Sequence, residues 1–310
     1  MKVISFGECM LEVKVQEGLK ARFGYGGDTF NTAYYLAQLG VNSAYATALG
    51  KDNLSQWLLN DWQESGISTK LVTLSENKTP GIYTIHTDEQ GERSFNYWRE
   101  NSAARFMLND KTVAQLLSNV ESGDMFYFSL ISIAILIQDS RPVFLELLKN
   151  LASQGVTLAF DNNYRPSLWP DRKTARSWVE KVTPWVDIYL PSKEDEMAIF
   201  ELSEAESADH FSTLEIPEIV VKNGGQSCQL LQRNTSSTVE LSTLKPLDTT
   251  AAGDSFNAGY LAARSLGRSP NTAARAGHYL ASQVIMHEGS LVPFKDLDLE
   301  GIYEVDSIDR

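Results

Sequence analysis

The chain has 310 residues, 43% of them hydrophobic and 22% charged, so it is long enough to bury a large core. Its net charge of −13 argues against nucleic acid and an anionic membrane surface as partners. The two cysteines, Cys9 and Cys228, predict no disulfide framework, as expected of a cytoplasmic protein. The longest apolar run, 126–137, is too short to span a bilayer and predicts a buried strand with the segment after it.

The first part of the chain predicts an α/β unit. Residues 2–6 are apolar and predict a buried strand. A glycine-rich loop over 23–28 leads into a helix that Asp28 or Thr29 caps and that Gly40 ends. The next two predicted elements are a strand and an amphipathic helix, over 43–49 and 53–64.

Two more polar segments predict a small separate sheet. Residues 12–22 alternate loosely, as in an exposed hairpin, and 79–97 predict a second hairpin with a polar turn over 88–92. Together they predict a lid, formed from about 12–25 and 79–100, on a single domain that spans 1–310. Because uncovered sheet edges tend to find partners, the lid also predicts a homo-oligomer formed through it.

From Gly123 onward, strands and helices alternate. The predicted strands cover 125–129, 157–161, 188–190, 218–222 and 227–232, and the predicted helices between them include 141–154 and 172–182. This order predicts the α/β class, a mostly parallel sheet covered by helices on both faces. Ligands of such folds bind at the carboxyl ends of the strands, where Asp161, Ser192 and Lys222 fall.

The segment 248–254, Asp-Thr-Thr-Ala-Ala-Gly-Asp, predicts a small-residue loop that runs into a helix. Ala251, Ala252 and Gly253 add little bulk, so a ligand can approach the backbone, and the N-terminus of a helix attracts anions. Asp254 could then accept the proton of a hydroxyl that attacks a bound phosphate. The alternative is a turn followed by an ordinary helix cap, and we favour the phosphoryl-transfer interpretation.

Other well-known motifs are missing from the sequence. It contains no G-x-x-x-x-G-K-[ST] motif of P-loop enzymes and no G-x-G-x-x-G after its first strand. Its cysteines and histidines do not have zinc-binding spacing. The phosphate-binding prediction therefore depends on the segment 248–254.

Polar residues in three further loops could contact a ligand. Gly26 and Gly27 allow close backbone approach, and Asp28 and Asn31 suit sugar hydroxyls, although a simple capped turn explains them equally well. Arg99 and Arg165 suit a carboxylate or phosphate, with a surface ion pair as the alternative. The segment 222–227 predicts a Gly-Gly hairpin turn that could pass close to a nucleotide.

Taken together, these motifs resemble the PfkB, or ribokinase-like, family of sugar kinases. The segment 248–254 matches the family pattern D-T-x-G-A-G-D, and 26–31 is similar to its substrate loop. Within the family, the likeness is to kinases of keto-deoxy sugar acids. It depends on the motifs 7–10, 23–29, 91–95, 97–99, 160–169 and 248–254.

The resemblance implies a three-layer α/β/α sandwich, a sugar acid and ATP as substrates, and a role for each matching residue. Asp254 is the implied catalytic base, and the backbone of Ala251, Ala252 and Gly253 forms the anion hole. The implied contacts to the sugar acid come from Gly27, Asp28, Asn31, Tyr83, Tyr97, Arg99 and Arg165. The implied ATP-binding residues are Asn163, Ser192, Lys222, Gly224, Gly225, Ser227 and His278.

The chain departs from the family pattern at two positions. Ala251 replaces a glycine, so the backbone there is less free to adopt positive φ. The N-x-x-E element that helps to hold Mg²⁺ appears as 192–195, which leaves Asp195 as the implied metal residue. The resemblance further implies a monovalent cation such as K⁺ near Asp248 and Thr249. Two alternatives stay open, a kinase of a neutral sugar and a sugar-binding regulator without catalysis.

Overall fold

A computed structural model describes residues 1–15, 20–87, 93–233, 235–240 and 244–303. The predicted polar turn 88–92 and part of the first lid segment, 16–19, lie outside the described residues. Within the described ranges, no helix is both long and apolar enough to cross a membrane.

Strands and helices alternate through most of the chain. The strands are β1 (Lys2–Phe6), β2 (Met10–Val15), β3 (Ala21–Gly26), β4 (Asn42–Gly50), β5 (Val72–Ser75), β6 (Ile82–Thr87), β7 (Arg93–Trp98), β8 (Met125–Ser129), β9 (Thr157–Asp161), β10 (Ile188–Tyr189), β11 (Glu218–Val221), β12 (Cys228–Gln232) and β13 (Thr235–Val239). The helices are α1 (Asp28–Gln38), α2 (Asn53–Glu64), α3 (Asp110–Ser118), α4 (Leu130–Ile135), α5 (Ser140–Ser153), α6 (Arg172–Val182), α7 (Lys193–Phe200), α8 (Glu204–Thr213), α9 (Ala252–Ser265) and α10 (Pro270–Val284).

A nine-stranded sheet forms the centre of the molecule, in the order β13-β12-β11-β10-β9-β8-β1-β4-β5. Its strands pair in parallel except at β11–β12 and β12–β13. The predicted mostly parallel sheet is therefore confirmed, and the Gly-Gly segment 222–227 does connect two antiparallel strands.

Two hydrophobic cores lie on opposite faces of this sheet. Side chains alternate along β8: Phe126 and Phe128 join one core, whereas Met125 and Tyr127 join the other. The first core is closed by helices such as α5 and α6, and the second by α1, α2, α9 and α10. The predicted α/β/α layering is thus confirmed.

A separate four-stranded sheet has the order β3-β2-β6-β7 and is built from the segments predicted to form the lid. Strands β2 and β6 pair in parallel, and each pairs antiparallel with its outer neighbour. The predicted loop over 23–28 was wrong, because residues 23–26 complete β3 and pair with β2. The large side chains of Phe23, Tyr97 and Trp98 are exposed on this sheet.

The parallel strands bring several polar residues to one edge of the central sheet. Strand β9 ends at Asp161, Lys222 follows β11, and Ser192 lies beside Lys222 in an isolated bridge. The residues that were predicted at the ends of strands therefore lie together at one edge of the central sheet.

Candidate active site

Helix α9 begins with an unusual backbone conformation. Its N-cap residue, Ala251, has φ +61° and ψ 16°, in the left-handed region. Among the described residues only Glu201 is another non-glycine residue with positive φ. Left-handed backbone costs an alanine on the order of 1 kcal/mol, so the surrounding contacts must hold Ala251 in place.

Asp248 fixes the loop that precedes α9. One carboxylate oxygen accepts bonds from the Thr250 amide (2.9 Å) and the Thr250 hydroxyl (2.6 Å). The other accepts the Gly289 amide at 2.9 Å, so this buried side chain ties the loop to the segment after α10. Asp248 therefore holds the loop immediately before Ala251 in place.

The N-terminus of α9 presents backbone N–H groups as predicted, but not all of them are available. The amide of Ala252 donates to the Thr249 carbonyl at 3.2 Å, within the loop itself. First-turn amides have no acceptor within their own helix, so those of Gly253 and Asp254 must be satisfied from outside it. This end of the helix is suited to an anion.

Asp254 lies in the first turn of α9 and is half-buried. The Asn31 side-chain amide donates to Asp254 Oδ2 at 2.7 Å, and the Thr32 hydroxyl donates to its backbone carbonyl at 3.1 Å. Burial, reinforced by the nearby Asp28 carboxylate, raises the pKa of Asp254 to about 8. A carboxyl group with a pKa near neutrality is suited to general base catalysis.

The start of α1 forms the neighbouring wall. Gly27, not Asp28 or Thr29, is the N-cap, which corrects the predicted cap. The Asp28 carboxylate instead accepts the Asn163 amide at 3.1 Å, and burial raises the pKa of Asp28. A Cβ on Gly27 would lie 2.0 Å from the Glu8 carbonyl, so only glycine fits there.

A buried polar cluster lies beneath the start of α9. Lys222 Nζ donates to Asp161 Oδ2 at 2.9 Å and to Asn257 Oδ1 at 3.1 Å, and the Asn257 amide donates to Asp161 Oδ2 at 2.7 Å. The side chains of Lys222 and Asp161 are 13% and 3% exposed. We call Lys222, Asp161 and Asn257 the floor cluster.

Some of the predicted ATP-binding residues adjoin Lys222, either along the chain or through its bridge with Ser192. Gly224, Gly225 and Ser227 lie between β11 and β12, and Ser192 caps α7. His278 lies on α10 with its ring edge-on to Phe256, and burial lowers its pKa to about 4. His278 is therefore neutral at physiological pH.

The lid side of the site contains Tyr83, Tyr97 and Arg99. The Tyr83 hydroxyl donates to Glu12, and Tyr97 is half exposed. Arg99 is buried and forms an ion pair with Glu8, which also accepts the Ser102 hydroxyl. Arg99 Nε has no hydrogen-bond partner among the described residues.

Arg165 differs from Arg99 in exposure. Its side chain is 53% exposed, and it donates to the Tyr164 carbonyl at 2.8 Å. Its ion pair with Asp195 is long, 3.9 Å, and Asp195 also accepts the Tyr164 amide at 3.1 Å. Burial raises the pKa of Asp195.

Sequence reasoning missed three polar residues of this region, Glu8, Glu12 and Asn257, and also the pairing role of Asp161. Two of them had a signal. Asn257 follows Asp254 by three residues and so lies on the same helix face, and Glu8 lies within the motif 7–10. The pairings of Glu12 and Asp161 depend on residues distant in sequence.

Comparisons with known proteins agree with this geometry. The family model "pfkB family carbohydrate kinase" matches residues 1–296. The chain is 38% identical to 2-dehydro-3-deoxygluconokinase of Escherichia coli, over 94% of this chain and 97% of that protein.

Two solved structures have the same fold. The 2-dehydro-3-deoxygluconokinase of Thermotoga maritima superposes with a TM-score of 0.83 at 21% identity, covering 98% of this chain and 99% of that one. A fructokinase of Vibrio cholerae, solved with fructose, ADP and calcium, superposes with a TM-score of 0.84 at 21% identity, covering 98% of both chains.

Proposed function

The chain belongs to the pfkB family of carbohydrate kinases, and we propose that it transfers the γ-phosphoryl of ATP to 2-keto-3-deoxygluconate. This acid is also called 2-dehydro-3-deoxygluconate. The proposed product is 2-keto-3-deoxy-6-phosphogluconate. The observation that carries the proposal is the bond from Asn31 to Asp254, which holds a carboxylate of pKa about 8 at an anion-binding helix end.

In the proposed reaction, Asp254 acts as the base. The terminal hydroxyl oxygen of the sugar acid attacks the γ-phosphorus and forms a new O–P bond, while the bond to the β–γ bridging oxygen breaks. ADP leaves with that electron pair, and the hydroxyl proton passes to Asp254. The free amides at the start of α9 spread the negative charge that develops on the phosphoryl oxygens.

We propose that Arg99 and Arg165 recognise the substrate carboxylate. Glu8 already neutralises Arg99 but leaves its Nε without a partner among the described residues, so Arg99 can offer a directed N–H. Arg165 is exposed and weakly paired, so it can supply the positive charge. Gly27, Asp28, Tyr83 and Tyr97 would contact the rest of the sugar.

The residues present suit Mg²⁺ held largely by the phosphates of ATP. No cluster of three or more His, Cys, Asp or Glu side chains suited to a metal occurs in the described ranges. Mg²⁺ commonly keeps several waters and takes one or two carboxylates beside substrate phosphates. We propose Asp195 as that carboxylate, and bound Mg²⁺ would neutralise charge on the phosphates.

A monovalent cation near Asp248 and Thr249 and a lid-mediated homo-oligomer complete the proposal. The Asp248 carboxylate accepts hydrogen bonds from backbone amides of two loops, so a cation bound there would further stabilise loops that Asp248 already connects. Exposed Phe23 and Trp98 on the lid sheet support self-association through that surface.

A coupled ATP-consumption assay tests the proposed function. It compares 2-keto-3-deoxygluconate, its galactonate epimer and fructose at equal concentrations. We expect the sugar acids to be phosphorylated with a higher kcat/KM than fructose. A preference for fructose would favour the neutral-sugar alternative, and no turnover with any sugar would favour a regulator that binds sugar without catalysis.

A further inference from the structure

We propose that Lys222 is a catalytic residue that contacts the transferring phosphoryl group, and that Asp161 and Asn257 position it. This inference rests on the proposed function and goes beyond it, because it assigns a second charged group to phosphoryl transfer. The sequence implied only that Lys222 lines the ATP site.

The first observation is the distance between Lys222 and the anion-binding loop. A Cβ added to Gly253 would lie 3.9 Å from Lys222 Nζ. Gly253 is exposed and has no side chain, so it does not occupy the space between its backbone and the Lys222 ammonium group. An oxygen bound by the Gly253 amide would therefore lie within reach of Lys222.

The second observation is how the ammonium group is held. An ammonium has three N–H donors, and within the described ranges two of them are directed at Asp161 and Asn257. Both acceptors are buried, so they fix the nitrogen instead of competing as mobile surface groups. One donor is left for a ligand on the side of Gly253.

The third observation is the charge balance. Asp28, Asp161 and Asp254 lie near this edge, and the Lys222 charge offsets part of the rise that burial and Asp28 cause in the pKa of Asp254. Carboxylate charge at this edge disfavours an anionic phosphoryl group. Lys222 is the buried cation beside Asp161, whereas Arg165, near Asp195, is 53% exposed. In the proposed role the Lys222 ammonium group stabilises charge on a non-bridging oxygen and exchanges no proton.

Lys222→Met tests the contact. We expect kcat to fall by about a hundredfold or more, the usual loss when one transition-state donor is removed. The non-hydrolysable ATP analogue should bind about tenfold more weakly, while ADP binding should change by less than about threefold. A merely structural lysine would not separate the two nucleotides, so equal weakening would overturn the proposal.

Two further variants test the same contact even if Lys222→Met fails to fold. Lys222→Met with Asp161→Asn removes both charges and leaves no unpaired buried carboxylate. Gly253→Ala places a methyl group at ordinary contact distance from Nζ, so the fold should tolerate it while the phosphoryl group loses its space. We expect either variant to melt as a folded protein with kcat reduced about tenfold or more. Either folded variant with kcat within about threefold of wild type would contradict the proposal.

The chain offers a matched control at the far ends of the same two elements. Glu218 begins β11 and pairs with Arg264 near the end of α9, at 3.0 Å. Glu218→Gln with Arg264→Met should lower the melting temperature without lowering kcat. If the wild type turned over no sugar, the proposed function would fail, yet the nucleotide affinities would still test Lys222.

Discussion

The floor cluster is buried and hydrogen-bonded within itself, whereas the lid sheet exposes large apolar side chains to solvent. In the floor cluster, Lys222, Asp161 and Asn257 bond one another in a buried network. On the lid sheet, Phe23, Tyr97 and Trp98 are 64%, 49% and 61% exposed. We infer that the phosphoryl end of the site is formed before substrate binds, whereas the acid-recognition end is completed by the substrate.

This difference predicts separate effects on turnover and on substrate preference. Changes beneath α9 should lower kcat for every substrate, because fixed dipoles and charges act on the transition state. Changes near the lid should act on the choice between an acid and a neutral sugar.

Asp254→Asn should lower kcat by about two or more orders of magnitude, because the hydroxyl loses its proton acceptor. Both substrates should still bind. Burial raises the folded-state pKa of Asp254 from 3.8 to about 8, so its ionisation lowers the free energy of unfolding progressively as pH rises between these two values. The variant lacks this carboxyl group and should therefore melt no lower than wild type at pH 8. Steady-state kinetics and thermal melts measure both.

Asp187→Asn is the matched control, since Asp187 is another carboxyl group whose pKa burial raises, at the opposite end of the strands. Its kcat should stay near the wild-type value. Turnover by Asp254→Asn within about threefold of wild type would exclude a base role for Asp254.

Arg165→Met should lower kcat/KM for 2-keto-3-deoxygluconate by about tenfold, the scale of one charged hydrogen bond, and leave fructose nearly unchanged. Arg172→Met removes a comparably exposed arginine whose partner is Glu201, and it should change neither value. Competition assays with the two sugars measure the preference. An equal loss for both sugars would instead indicate that Arg165 serves the nucleotide.

The pH profile of kcat/KM should fall on its acid side around pH 8, because Asp254 must be ionised to accept a proton. The Asp28 charge raises the pKa of Asp254, so Asp28→Asn should move this acid limb to lower pH. Rates measured between pH 6 and 10 give the limb for both proteins. A limb that stayed in place, or moved upwards, would show that Asp28 does not act on the base.

Ala251→Gly should raise the free energy of unfolding by about 0.5–1 kcal/mol, since glycine adopts φ +61° without steric cost. Ala281→Gly within α10 should have the opposite sign, with a loss of up to about 1 kcal/mol. Urea unfolding measures both variants. Destabilisation by Ala251→Gly would contradict the strained conformation at the start of α9.

The sequence was sufficient to predict strands β8 to β12, helices α5 and α6, and the segments that form the lid sheet, whereas strand β13 was not predicted. Those elements follow from hydrophobic periodicity and turn residues, which are local. The loop over 23–28 was predicted wrongly because glycines suggested a turn, whereas pairing with β2 makes it a strand. Tertiary pairing overrode local preference there.

The candidate site was predicted unevenly for a related reason. Asp254 and the helix start are contiguous, so one motif contains them. The bond from Asn31 to Asp254 joins residues 223 positions apart, and the bond between Lys222 and Asp161 joins residues 61 apart. Only the fold brings such partners together, which is why the floor cluster and the Glu8–Arg99 pair were missed.

Phosphorus NMR of the product formed from ATP and 2-keto-3-deoxygluconate tests the proposed reaction, with wild-type protein and Asp254→Asn measured in parallel. We expect one new phosphate ester on the terminal oxygen, formed by wild type and reduced about a hundredfold or more in the variant. Phosphorylation at another oxygen, or equal ester formation by both proteins, would contradict it.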